Sequence, residues 1–164
     1  MFESLIAFYA TQVSVSLLAT YLVYFIGKKG VPPSLSASFY GGMGYIFTVM
    51  CFLVAISTAV GLFELTAGKW YQFLVFLAAV GLGFVGAAPM FKNLGMERKV
   101  HVAGAALCGV ASQAVVILSG YWYLPVALFP AALIIALRNR NHVFWFEMAA
   151  FASTFAAMEL MTFK

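Results

Sequence analysis

Long apolar runs dominate this chain, and the stretch at positions 39–63 holds no charged side chain at all. Five further runs, at 5–26, 70–90, 100–119, 122–137 and 142–163, are nearly as poor in charge. Covering the hydrocarbon core of a bilayer, about 30 Å thick, takes a helix of about 20 apolar residues. The whole chain is 65% hydrophobic and 9% charged, whereas a soluble domain carries roughly 25% charged residues. No water-soluble fold could hide that much apolar surface. The expected fold is therefore all-α, a single polytopic transmembrane bundle over residues 1–164 with about six spans, an integral multi-pass protein of the cell membrane.

The polar intervals punctuate these runs. Gly27-Lys28-Lys29-Gly30 followed by Val31-Pro32-Pro33 stops the first span abruptly, because proline cannot continue a helical ladder. Pro125 and Pro130 fall in the fifth and shortest run, which predicts a helix there that is kinked, tilted or only partly inserted. A secretory leader is a poor reading of the first run, since Met1-Phe2-Glu3 supplies no basic start and no small-residue cleavage site precedes Lys28.

Charge sets the expected orientation. Lys28, Lys29, Lys92, Arg98, Lys99, Arg138 and Arg140 all fall in loops on one side of a six-span arrangement, while Lys69 and Lys164 fall on the other. The positive-inside bias makes the first side cytoplasmic and both termini external. Trp70-Tyr71 and Tyr121-Trp122-Tyr123 lie at the external ends, where amphipathic rings prefer the interface. The net charge of +4 is thus a matter of topology, and nucleic acid is not an expected partner. Expected partners are membrane lipid and either further copies of the chain or another membrane protein.

Helix association in lipid relies on small residues and interhelical hydrogen bonds. Four-residue stripes occur at Ala79, Gly83 and Ala87, at Ala105 and Gly109, and at Ala149, Ser153 and Ala157, which predicts that the third, fourth and sixth spans form the packed centre. Counting inward from the boundaries sets Gln12, Ser57, Thr58, Ser112, Gln113 and Thr154 in the outer half, where they form a candidate polar layer: interhelical glue in one reading, part of a transport path in another. Cys51 and Cys108 both sit inside apolar runs and read as small packing residues.

The cytoplasmic half carries the strongest functional signal. Glu147 lies about 7 Å below the boundary at His142, at a rise of 1.5 Å per residue, and an acidic side chain at such depth is a functional candidate by default. His101, His142, Tyr24, Tyr40 and Tyr45 fall at similar height, and Ser34, Ser36 and Ser38 approach from the first loop. Candidate ligand-binding residues are thus Glu147, His101, His142, Tyr24 and Tyr45. The plain alternative pairs Glu147 with Arg98, Arg138 or Arg140 at the interface.

Enzymatic readings meet obstacles. His142 and Glu147 are not at the three- or four-residue spacing that aligns two ligands on one helical face, so no metal or cofactor is expected. A serine hydrolase of the rhomboid type would need a serine and histidine in contact, but Ser112 lies about 18 Å from the edge where His142 sits. The chain contains no aspartate to orient such a histidine, and the same lack argues against an alkaline-ceramidase-type hydrolase.

Gly86-Ala87-Ala88-Pro89, then His101-Val102-Ala103-Gly104-Ala105 and Ser112, resembles the Gly-x-x-Pro and His-x-x-Gly-Ala pattern of small six-span membrane proteins of the Frag/DRAM-like type. The chain departs from that pattern after the proline, where Met90-Phe91-Lys92 replaces an acidic residue. The resemblance implies six spans and a cytoplasmic His101. Three functions follow as expectations: binding of a lipid, small amphiphile or partner helix in a pocket around Glu147 and His101; an oligomeric channel or transporter using Glu147 and the Gln12/Gln113 layer; or a metal-dependent membrane hydrolase using His101, His142 and Glu147.

Overall fold

The computed structural model describes residues 4–92, 95–139 and 141–164; Met1, Phe2, Glu3 and Arg140, used in the leader and orientation arguments, lie outside them. Among the described residues the chain is helical, with no strand. Six α-helices appear: α1 (Leu5–Lys29), α2 (Gly44–Leu65), α3 (Phe73–Ala87), α4 (Met96–Val116), α5 (Tyr123–Asn139) and α6 (His142–Thr162). A 3-10 segment (Leu35–Gly41) lies between α1 and α2, and a π-turn (Ile117–Tyr121) extends α4.

Four of these helices are long and apolar enough to cross a membrane: α1, α2, α4 with its extension, and α6. The other two are shorter, with 15 residues in α3 and 17 in α5. The run at 70–90 shrinks from both ends for identifiable reasons. At its start, Lys69, Thr66 and Tyr71 are tied into consecutive turns, and Gln72 donates from Nε2 to Phe63 O at 2.9 Å. At its end Ala88 leaves helical geometry, with φ −118° and ψ 58°, because the residue before Pro89 is sterically disfavoured in the α region.

The run at 39–63 is also divided. Its first residues belong to the 3-10 segment, and α2 begins only at Gly44. Gly30, at φ +78°, and Gly42, at φ +89°, bracket the segment in the left-handed region where only glycine sits without strain. Ser34 caps its start, accepting from Ala37 N at 3.1 Å. The chain between α1 and α2 therefore turns back into the bundle, where Leu35, Ser36 and Ser38 are buried.

Helices α1 to α4 pack each against the next, and α6 closes the ring against α1 and α4 while also touching α2. Helix α5 lies outside this ring on α6, where Phe129 stacks on Phe146 at 6.0 Å. The core runs through Val54, Phe47 and Leu62 of α2, Val75 of α3, Val115 of α4 and Met158 of α6.

The tightest crossing joins α3 and α4 away from the predicted stripes, two residues off on α3 and one residue off on α4. A Cβ on Gly81 would lie 2.5 Å from the Cys108 backbone nitrogen and 2.7 Å from Gly104 O. A Cβ on Gly104 would in turn lie 2.7 Å from Gly81 O. By contrast Gly83 has its nearest neighbour at 3.6 Å, and Ala87 is exposed. The α6 stripe of Ala149, Ser153 and Ala157 is buried.

Candidate functional site

The re-entrant segment is held by side chains from three helices. Glu147, on α6, accepts the backbone N–H of Leu35 at 2.6 Å through Oε2. Nearby on the same helix, Phe144 N donates to Pro33 O at 3.1 Å. His101, on α4, is 5% exposed and uses both ring nitrogens: Nδ1 lies 2.9 Å from Ala88 O, and Nε2 lies 2.9 Å from Ser36 Oγ. The carbonyl can only accept, so Nδ1 carries a proton and a neutral ring takes the Ser36 hydroxyl proton at Nε2. Phe91 stacks on the imidazole at 4.7 Å. From α1, Tyr21 meets Ser38 through its hydroxyl, and Ser38 donates to Leu35 O. Each helix thus satisfies polar groups that the folded-in loop would otherwise bury unpaired.

Beneath this segment a cavity of about 100 Å³ opens between α2, α3, α4 and α6. Such a volume exceeds the roughly 10–15 Å³ that one water needs on the same measure. Its wall is mostly aliphatic, with Ala55, Ala79, Ala105 and Gly109 as the small residues that leave the space. Leu35, Ser36 and Glu147 form one part of the lining, and Thr58, Ser112 and Thr154 contribute further polar atoms. Glu147 is partly accessible and contributes to this wall. Neither Arg98 nor Arg138 forms an ion pair with it, and Arg140 lies outside the described residues.

The structure brings Glu147 and His101 onto consecutive residues of one segment, Leu35 and Ser36. It does not bring the other three candidates there. His142 is exposed at the first turn of α6, and Tyr45 is 92% exposed. Tyr24 is likewise exposed and engages Lys28, whose Nζ donates to its hydroxyl at 2.7 Å. Tyr40 reaches the α3–α4 loop instead, accepting from Lys92 N at 2.9 Å.

The polar layer is divided into three pieces. Gln113 bridges α4 to α6, donating from Nε2 to Ala150 O at 3.1 Å and to Thr154 Oγ1 at 3.3 Å, while Ser153 donates to its Oε1 at 2.6 Å. Ser112 joins weakly, accepting from Gln113 at 3.4 Å. Ser14, Ser57 and Thr58 form a separate α1–α2 cluster, with Thr58 donating to Ser14 at 3.0 Å. Gln12 donates to Glu159 and ties α1 to α6.

Sequence reasoning missed Leu35 N–H, Ala88 O and Ser14, and took Ser153 as a packing residue without its bond to Gln113. The first was signalled by Ser34 after Pro32-Pro33, a helix-start pattern inside what reads as a loop. Ala88 was quoted in the Gly86–Pro89 motif, but its meeting with His101 needs the α3–α4 crossing. Among the described residues no three His, Cys, Asp or Glu side chains gather as metal ligands.

Comparison with protein-family models, curated proteins and solved structures returns no match.

Proposed function

We propose that this chain is a six-span membrane protein, with both termini external, that holds a small amphiphile or lipid chain in the cavity beneath its re-entrant segment. The observation that carries the reading is the cavity itself: an aliphatic space inside a helical ring, with a carboxylate in its wall. Ligand sites are concave, mostly apolar and furnished with a few placed polar groups. Helix α3 lies between α2 and α4 and shares its buried face with both, which supports its crossing at the same depth despite its length. The basic residues Lys28, Lys29, Lys92, Arg98, Lys99 and Arg138 follow the alternation that puts this end in the cytoplasm.

Gly109 provides the test, because it lines the cavity and a Cβ there meets nothing within 4 Å. Gly109→Leu fills the space without a backbone clash. Native mass spectrometry of gently purified protein is expected to show a retained lipid or amphiphile that Gly109→Leu loses while its melting midpoint holds. Equal retention by both proteins refutes the reading.

A transporter is the second reading, favoured by Thr58, Ser112 and Thr154 lining the same cavity as Glu147. It requires solute flux in liposomes that Glu147→Gln abolishes.

A further inference from the structure

Hydrogen-bond polarity in the cavity narrows what it can hold. Every side-chain hydroxyl in the lining has already committed its proton. Thr58 donates to Ser14 at 3.0 Å, Ser112 to Gly109 O at 3.2 Å, and Thr154 to Ala150 O at 2.8 Å. With His101 neutral, Ser36 donates to Nε2. Glu147 binds Leu35 N–H through Oε2, and among the described residues nothing donates to Oε1. No lysine, arginine or histidine belongs to the lining. The side chains of the wall therefore offer acceptors almost throughout, and their remaining donors are the thiols of Cys51 and Cys108, which donate weakly.

We propose that the ligand of this cavity is an amphiphilic amine, whose head donates to Glu147 Oε1 and whose chain lies along the aliphatic wall. The inference rests on the binding reading above and specifies its ligand class. A carboxylate or phosphate head would bring a charged acceptor against Glu147 in an apolar space. It would find no cation there, so desolvation of the charge would go uncompensated. An amine head supplies what the wall lacks, and a charge-assisted hydrogen bond is about twice as strong as a neutral one. Phe151, one helical turn beyond Glu147, also lines the cavity and brings an aromatic ring to the part of the wall nearest an ammonium group. From Glu147 to Thr154 the lining follows α6 for about 10 Å, at 1.5 Å per residue, which suits an extended chain.

Three probes with one chain length separate the possibilities: octylamine, octanol and octanoate, each titrated into the full chain in a non-ionic detergent, with binding followed by calorimetry. Octylamine is expected to bind about 10- to 100-fold more tightly than octanol, the ratio given by one charge-assisted hydrogen bond, and octanoate most weakly. Glu147→Gln is expected to erase the preference for the amine while octanol binding persists. Should octanol or octanoate bind as tightly as the amine, the cavity still binds amphiphiles but the assignment of an amine is overturned. Should none of the three bind the wild-type protein, both the assignment and the binding reading fall. The wild-type ranking decides the matter even where Glu147→Gln does not fold.

Discussion

A single methyl group added at Gly81 is expected to weaken the bundle, and the same methyl at Gly83 is not. Both glycines lie in α3, so each alanine gains the same helix propensity, up to about 1 kcal/mol over glycine. What differs is the surroundings. At Gly81 the new Cβ meets the backbone of α4 at 2.5 Å and 2.7 Å, atoms that cannot rotate away. At Gly83 it meets only Phe52 Cε1, at 3.6 Å, an ordinary contact. Overpacking of this kind costs about 1–3 kcal/mol, and the difference between the two variants isolates it because the propensity gain cancels. Both can be measured by heating purified protein with a thiol-reactive fluorogenic dye. In a Cys108→Ala background the remaining thiol, Cys51, is fully buried, so its labelling reports loss of the bundle. Gly81→Ala is expected to melt below wild type or below Gly83→Ala by that margin, and Gly83→Ala at or above wild type. Equal midpoints for the two variants would mean that α3 and α4 do not cross at Gly81 and Gly104, and the ring described above would be wrong.

Other perturbations probe the remaining contacts. Glu147→Ala leaves the buried Leu35 N–H without its acceptor, at a cost of about 1–3 kcal/mol, and amide exchange over residues 34–41 should accelerate while α2 stays protected. A double-mutant cycle of Gln113→Leu and Ser153→Ala should return a coupling of about 0.6 kcal/mol, the usual worth of an interhelical hydrogen bond in lipid; a zero value would remove the α4–α6 bridge. In intact cells an impermeant thiol reagent should label Lys69→Cys, and should label Lys99→Cys only after permeabilisation. The reverse pattern would invert the proposed orientation.

Much of the fold was legible because bilayer physics acts on composition. A helix that meets lipid must be apolar over about 20 residues, so α1, α2, α4 and α6 announce themselves without any knowledge of packing. The end of α1 was legible because proline acts locally at Pro32-Pro33, whereas the run at 70–90 was read through Pro89 and α3 stops at Ala87. Glu147 and His101 stood out for the same kind of reason, being costly side chains in apolar runs. The stripe at Ala149, Ser153 and Ala157 was found by spacing alone.

Contacts between helices were decided only by the tertiary structure. Spacing predicts that small residues pack, but Gly81 has Leu77 and Val85 four residues to either side and belongs to no small-residue stripe; only its meeting with Gly104 marks it as the contact. Tyr45 and His142 share the approximate depth of Glu147, yet rotation about the helix axis leaves both exposed, because depth along a helix says nothing about azimuth. Division of the polar layer into Gln113–Ser153–Thr154, Ser14–Ser57–Thr58 and Gln12–Glu159 follows from which helices are neighbours. Residues 31–43 show the limit most plainly. Their sequence reads as a surface loop running into a span, and they fold inward because Glu147, His101 and Tyr21 arrive from three separate helices to satisfy their polar groups. Local sequence determines where a backbone can be helical in lipid; which buried group finds a partner is a property of the assembled ring.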